Sequence, residues 1–204
     1  MKTYDRDYFD RWYRRPADTA ANRARLARTV SLAVAQAEAV LERTIRSVLD
    51  VGCGEGAWRA PLLKLRPKLL YLGLDASGYA VARFGRSRHL RQAAFGDLAW
   101  LRPCPPVDLL VCADVMHYVP DREWKAGLPG LAALCGGVAY LESYTAEDLD
   151  GKDVEGDFEG FIARPAATYR RVLTRVGFTF LGQHAWASPA LAGEATALER
   201  AAVR

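Results

Sequence analysis

The sequence predicts a doubly wound α/β domain of the Rossmann-like kind, a mostly parallel seven-stranded sheet flanked by helices and preceded by a helical arm. Three observations carry that expectation: short apolar runs of strand length alternate with helical stretches, the first run stops abruptly at glycine, and no repeat or low-complexity linker interrupts the alternation. Composition agrees. A chain of 204 residues that is 50% hydrophobic and 25% charged can bury a core, so disordered and fibrous classes are excluded.

Residues 18–46 read as one long helix, with Asp18 as N-cap after Pro16. Leu26, Val30, Ala33, Ala37, Val40, Leu41 and Ile45 recur at the helical period, and Arg23, Arg25, Arg28, Glu38 and Glu42 lie opposite. Upstream, Tyr4, Tyr8 and Trp12 share a helical spacing that suits either a packing face or a cofactor lid. Residues 1–46 are therefore read as an N-terminal arm or lid, and residues 47–204 as the main domain of a single structural unit.

Strands are expected at 47–51, 69–74, 90–94, 107–112, 137–142 and 178–182, with a short antiparallel seventh after the last. Helices are expected at 57–65, 77–85, 121–134, 165–176 and 190–202. Residues 143–162 fit neither pattern, being too polar for a strand and too glycine-containing for a good helix.

The formal charge of +4 is unevenly spread: residues 1–46 hold ten basic and six acidic side chains, and the remainder holds equal numbers. Residues 142–159 carry eight carboxylates against Lys152 alone, a field that would repel a polyanion, so a nucleic-acid partner is not expected. Cys53, Cys104, Cys112 and Cys135 form no Cys-x-x-Cys pair, which fits a reduced compartment. The charged N-terminus has no apolar signal core, and the longest low-polarity stretch, 131–141, is too short to span a bilayer. A cytoplasmic location without membrane attachment is the expectation. No acidic or histidine cluster suggests a catalytic metal, and the oligomeric state is not specified.

The chemistry concentrates in the run from Val48 to Trp58, which places Gly52, Gly54 and Gly56 in the turn between the first buried strand and its helix. Alternating glycines admit positive φ angles and let a ligand approach the backbone at the strand's carboxyl end. Alone the pattern is weak, because G-x-G-x-x-A also fits a dinucleotide site. The second strand ends in Asp75, where a carboxylate can accept hydrogen bonds from ribose hydroxyls, and the third leads to Asp97 and Leu98 on the same edge. Asp97 is placed to accept from an exocyclic amino group and Leu98 to cover an adenine face. Both acids also suit capping of the helices that follow, Asp108 reads as a solvated strand start, and Cys53 and Cys112 read as small packing residues.

From about residue 47 to 182, four ordered motifs resemble the class I S-adenosylmethionine-dependent methyltransferases. They are Asp50-Val-Gly-Cys-Gly-Glu-Gly56, the strand end at Asp75, Gly96-Asp97-Leu98, and the stretch from Asp108 through Asp114 to Pro120. The resemblance implies that Gly52, Gly54 and Gly56 line the methionine and ribose of S-adenosyl-L-methionine, with Asp50 nearby. It implies further that Asp75 holds the ribose, Asp97 and Leu98 the adenine, and that the backbone at Ala113 borders the methionine portion. The implied reaction is in-line methyl transfer to a small-molecule acceptor, which proximity largely catalyses. A hydroxyl or protonated amine acceptor needs a base, and His117 is the candidate, its ordinary pKa of ~6.5 suiting the task. A packing role suits it equally. The competing readings are a non-catalytic cofactor-binding scaffold and a nicotinamide-dependent oxidoreductase, the second disfavoured by Asp97.

Overall fold

The computed structural model describes residues 4–13, 19–149, 158–194 and 196. Helices α1 (Arg6–Tyr13) and α2 (Thr19–Leu41) precede β1 (Ser47–Val51), α3 (Arg59–Leu65), β2 (Leu70–Asp75), α4 (Gly78–Arg88) and β3 (Leu90–Gln92). After a 3₁₀ turn at Phe95–Ala99 come β4 (Val107–Ala113), a second such turn at Met116–Tyr118, α5 (Asp121–Leu134) and β5 (Cys135–Glu142). The chain continues through α6 (Ala146–Leu149), α7 (Ala166–Arg175), β6 (Thr179–Gly182) and β7 (Ala185–Ala187). The strands form one seven-stranded sheet in the order β3-β2-β1-β4-β5-β7-β6, in which β7 alone runs antiparallel to its neighbours.

Period-two alternation puts apolar side chains on both faces of the parallel strands. Leu49, Val51, Leu110, Cys112, Ala139 and Leu141 pack against α5 and α7, whereas Val48, Leu109, Val111, Val138 and Tyr140 pack against α2 and α3. Within the expected arm, α2 buries Val30, Ala33, Val34 and Ala37 on that second face and exposes Arg23, Arg25 and Arg28. The position of Asp18 lies outside the described residues, as do those of Asp150, Lys152, Asp153, Glu155 and Asp157. Most of the helix expected at 190–202 also lies outside them, and its first residues form a 3₁₀ turn at Pro189–Leu191.

Several boundaries move for identifiable reasons. Helix α2 stops at Leu41 because Glu42 turns left-handed, with φ of 52°. Arg43 then pairs with Asp108 through bonds of 2.6 and 3.1 Å. Asp108 also accepts from the Arg46 amide at 2.6 Å, so it is no solvated strand start: it clamps the connection from α2 into β1. Nor does Glu38 belong to a free charged face, since it pairs with Arg66, which holds its carboxyl below the ordinary range. Helix α3 starts two residues late because the amides of Gly56 and Arg59 are spent on turn bonds to Cys53 and Gly56. Strand β3 ends at Gln92, where the chain peels away toward Phe95.

That 3₁₀ turn is held by a close backbone approach. A Cβ added at Gly127 would sit 2.2 Å from the Phe95 carbonyl oxygen, and one at Gly130 only 1.7 Å from that of Leu98. Helix α5 therefore lies directly on the turn that carries Asp97. Gly130→Ala should force the two apart and cost ~1–3 kcal/mol or more, as overpacking does. Urea unfolding of the variant against the parent measures this, and an unchanged midpoint would contradict the packing.

Candidate functional site

Ligands of open α/β sheets bind outside the carboxyl ends of the strands, where the strand order reverses. Here that point lies between β1 and β4, and the glycine run sits on it. Gly52, Gly54 and Gly56 adopt φ of 74°, 53° and 76°. A side chain at Gly52 would collide with Val115, its Cβ only 2.2 Å from Val115 Cγ2, so glycine is required both by conformation and by space. The amides of Gly52 and Cys53 both donate to the Leu74 carbonyl at 2.7 and 3.0 Å, tying the turn to β2.

Asp75 is the centre of this edge. One carboxylate oxygen accepts from the Gly54 amide at 2.7 Å and the other from the Ser77 amide at 2.8 Å. Each oxygen retains a lone pair for a ligand hydroxyl. Burial raises its pKa, and the two amide bonds oppose that rise. Ser77 caps α4 by accepting from the Ala80 amide and donates its own hydroxyl to the Tyr4 carbonyl at 2.6 Å. Phe9 of α1 is buried and stacks on Tyr79 at 5.7 Å, so the N-terminal helix reaches the same edge. At the far end of the glycine turn, Arg88 donates to the Glu55 carbonyl at 2.5 Å while lying 4.0 Å over the Phe84 ring.

Asp50 is buried on the α2 side of the sheet and accepts a 2.7 Å bond from the Tyr71 hydroxyl. Burial pushes its carboxyl up to about 7, with the neighbouring Asp75 charge adding to the rise. Burial likewise pushes the Cys53 and Cys112 thiols far up, which suits packing and not nucleophilic chemistry. Gly73 makes room for Cys53, since a Cβ there would meet its sulfur at 2.6 Å.

The chain after β3 continues the same edge. The Ala93 amide donates to the Asp75 carbonyl at 2.9 Å, and Asp97 then accepts from the Ala94 amide at 2.8 Å. The Leu98 side chain, however, is fully buried in the core beneath α5. The side chain packs into that core and does not face the edge of the sheet. Ala113 ends β4 opposite Glu142, as half-buried backbone at the strand tip.

His117 does not stand open to an acceptor. It is fully buried, and its Nδ1 accepts a 3.2 Å bond from the Tyr144 amide. That bond occupies the Nδ1 lone pair and puts the proton of the neutral ring on Nε2. Nε2 lies 3.1 Å from Asp114 Oδ1 without hydrogen-bond alignment. A buried ring in this tautomer has no free lone pair for a substrate proton, so the geometry argues against the base role. The exposed member of the pair is Asp114, left-handed with φ of 61° and a side chain that is 63% accessible. Sequence reading passed over its carboxylate because nothing in the motif reveals that backbone turn.

The segment behind His117 is stitched by Arg164, which is 5% exposed. Its guanidinium donates to the Met116 and Val119 carbonyls at 2.9 and 2.6 Å, pairs with Asp121 at 2.6 Å, and lies 4.5 Å over Trp124. The Ile162 amide donates to the His117 carbonyl at 2.8 Å. No sequence signal marks Arg164, since its partners lie more than forty residues away. Among the described residues no group of three His, Cys, Asp or Glu is placed to hold a metal, and no helix is long and apolar enough to cross a membrane.

Residues 49–136 match a family model described as a methyltransferase domain. Among curated proteins, the trans-aconitate 2-methyltransferase of Mycobacterium marinum is 32% identical over 89 residues, covering 41% of this chain and 33% of that protein. That of Methylobacterium nodulans is 38% identical over 87 residues, covering 42% and 32%. The chain thus spans about a third of the length of the curated relatives it matches. Among solved structures, magnesium protoporphyrin IX methyltransferase from Synechocystis PCC 6803 with bound S-adenosylhomocysteine aligns with a TM-score of 0.59 at 20% identity, over 91% of this chain and 93% of that one. The N-methyltransferase NodS from Bradyrhizobium japonicum WM9, bound to the same ligand, aligns with a TM-score of 0.57 at 19% identity, over 88% and 92%.

Two measurements check the electrostatics of the site. The native Asp50 carboxyl keeps its proton up to about pH 7, whereas an unfolded one releases it near ~3.9. The native state therefore binds the extra proton across that window, and stability falls as pH rises through it, by ~2–3 kcal/mol between roughly pH 5 and 8. Asp50→Asn keeps an acceptor for Tyr71 and should remove most of that slope in urea midpoints, leaving the smaller contribution of Asp75. For His117, long-range ¹⁵N–¹H correlation spectra should show the Nε2–H tautomer. A protonated Nδ1 in the neutral ring would contradict the bond from Tyr144.

Proposed function

We propose that this chain, whose strands form a seven-stranded sheet and whose residues 49–136 match a methyltransferase-domain model, is a class I methyltransferase that transfers a methyl group from S-adenosyl-L-methionine to a small-molecule acceptor. The observation that carries the reading is the continuous acidic edge from Asp75 to Asp97 around the left-handed glycine turn. A dinucleotide site needs only the first of these carboxylates.

Asp75 would hold the ribose hydroxyls through its free lone pairs, and Asp97 would accept from the adenine amino group. The backbone at Leu98, rather than its buried side chain, would complete that end. The turn at Gly52, Gly54 and Gly56 and the strand tip at Ala113 would border the methionine portion. Asp50, at 2% exposure, would act nearby through a water.

The cofactor supplies an electrophilic methyl on sulfur. The chain's own residues hold the acceptor behind that methyl and exclude water, converting a bimolecular displacement into an oriented one. The acceptor lone pair forms the new bond as the carbon–sulfur bond breaks, and any acceptor proton leaves to a base. Asp114, exposed beside Ala113, is the carboxylate positioned to take it, while the buried His117 ring accepts from the Tyr144 amide and packs behind it.

A small acceptor agrees with the relatives, which are named for trans-aconitate and for magnesium protoporphyrin IX. A nucleic-acid acceptor is disfavoured by the carboxylates after β5. Of these, Glu147 and Asp148 also serve the local backbone, accepting from the Ala166 and Thr145 amides. Titration calorimetry should show binding of S-adenosylmethionine and S-adenosylhomocysteine and none of NAD. Asp75→Ala should weaken the sulfonium ligand by ~1–3 kcal/mol, the cost of losing bonds to a charged group. NAD binding without sulfonium binding would overturn the proposal.

A further inference from the structure

Helix α1 differs from the other helices in how it is held. It has eight residues, Arg6–Tyr13, and helices shorter than ~12–15 residues are marginal in water by themselves. Its first turn is closed locally, where Asp5 accepts from the Tyr8 amide at 3.0 Å. The rest of its order comes from what it docks on. Phe9, 1% exposed, stacks on Tyr79 of α4 at 5.7 Å, and the Tyr4 carbonyl accepts from the Ser77 hydroxyl at 2.6 Å. Asp5, Arg6, Asp7, Asp10 and Arg11 are all exposed, so α1 meets the domain along one narrow face.

The place of that docking matters more than its extent. Ser77, itself buried, is also the residue whose amide binds Asp75 at 2.8 Å. One residue thus joins α1 to the carboxylate read as the ribose ligand. A ligand hydroxyl on Asp75 and the Tyr4 carbonyl stand at opposite ends of one short hydrogen-bonded chain. The side chain expected to cover the adenosine end, Leu98, lies in the core instead. Ala76 and Gly78, which flank Ser77, are small and stay exposed beside the docked helix.

We propose that α1 is a wall of the cofactor site, a latch that closes over the adenosine end beside Asp75 and lifts from Ser77 and Tyr79 when the cofactor exchanges. The inference rests on the reading of Asp75 as the ribose ligand of S-adenosylmethionine. Phe9 and Ser77 are positioning residues in it. An adenosine that touches both Asp75 and the docked segment binds the closed form better, and by linkage the closed form tightens the ligand by the same factor. Methionine alone, lying at the glycine turn, has no such preference.

Trypsin cleavage of the full chain after Arg11 reads the lifted state, because a docked helix must open before it is cut. Its rate is taken relative to cleavage within the sheet after Arg91, which separates lifting of α1 from global unfolding. Saturating S-adenosylhomocysteine and adenosine should each slow the Arg11 cut roughly fivefold or more, and methionine should not. Phe9→Ala should speed the cut, raise the dissociation rate of S-adenosylhomocysteine and weaken its binding by up to the protection factor of the parent. Phe9→Leu should restore most of that affinity. If Phe9→Ala fails to fold, Asp5→Ala, which loosens only the exposed cap of α1, should show the same changes in smaller measure. Equal Arg11 cleavage with and without bound S-adenosylhomocysteine, or protection by methionine and not by adenosine, would overturn the latch and leave the cofactor reading standing. So would parent-like affinity in a variant whose α1 is cut faster. No binding of S-adenosylhomocysteine at all would overturn both.

Discussion

The site depends first on the bridge that Asp75 makes between the Gly54 and Ser77 amides. A carboxylate at a strand tip loses hydration, and two backbone donors return part of that loss. The geometry they impose is shared by two elements. Gly54 is held in its left-handed turn, and Ser77 is set to cap α4 and to reach Tyr4 of the N-terminal segment. A single side chain thereby fixes the glycine turn, the start of a helix and the approach of α1. The same carboxylate is only partly buried and keeps lone pairs that the two amides do not use.

The sheet makes that bridge possible by leaving no slack beneath it. The Gly52 and Cys53 amides share the Leu74 carbonyl, Gly73 yields space to Cys53, and Gly52 yields it to Val115. On the other side of the edge, Gly127 and Gly130 let α5 press on the turn that carries Asp97. Glycine serves twice over in this fold, admitting positive φ at the ligand edge and close helix packing behind it.

How much of this was legible in the sequence depends on the range over which each feature is determined. Strand and helix order through β5 follows from local periodicity, and α5 falls at 121–134 as expected. Asp75, Asp97 and the glycines were readable because they occupy fixed offsets from strands that announce themselves. The misread or missed side chains turn on partners distant in sequence. Asp108 is defined by Arg43, 65 residues away, and Arg164 by carbonyls 45 and 48 residues back. Leu98 reads as a ligand contact until the glycines of α5 show what covers it, and His117 reads as a base until Tyr144 takes its lone pair.

This division separates the two halves of the molecule physically. The edge from β1 to β3 is built from turns whose partners lie within about one βαβ unit, so a common pattern can specify it in many chains. The edge beyond β4 is built where residues 114–121, 143–147 and 161–170 meet, and Arg164 and His117 hold those segments together through main-chain groups. Backbone carbonyls and amides impose little demand on side-chain identity, so the segments they join are free to vary around a fixed scaffold. The match to the methyltransferase-domain model ends at residue 136, before β5 is complete, while the fold continues to β7. From β5 onward the distinctive contacts, those of Arg164 and His117, are bonds between a side chain and a distant main-chain group, which no local motif announces.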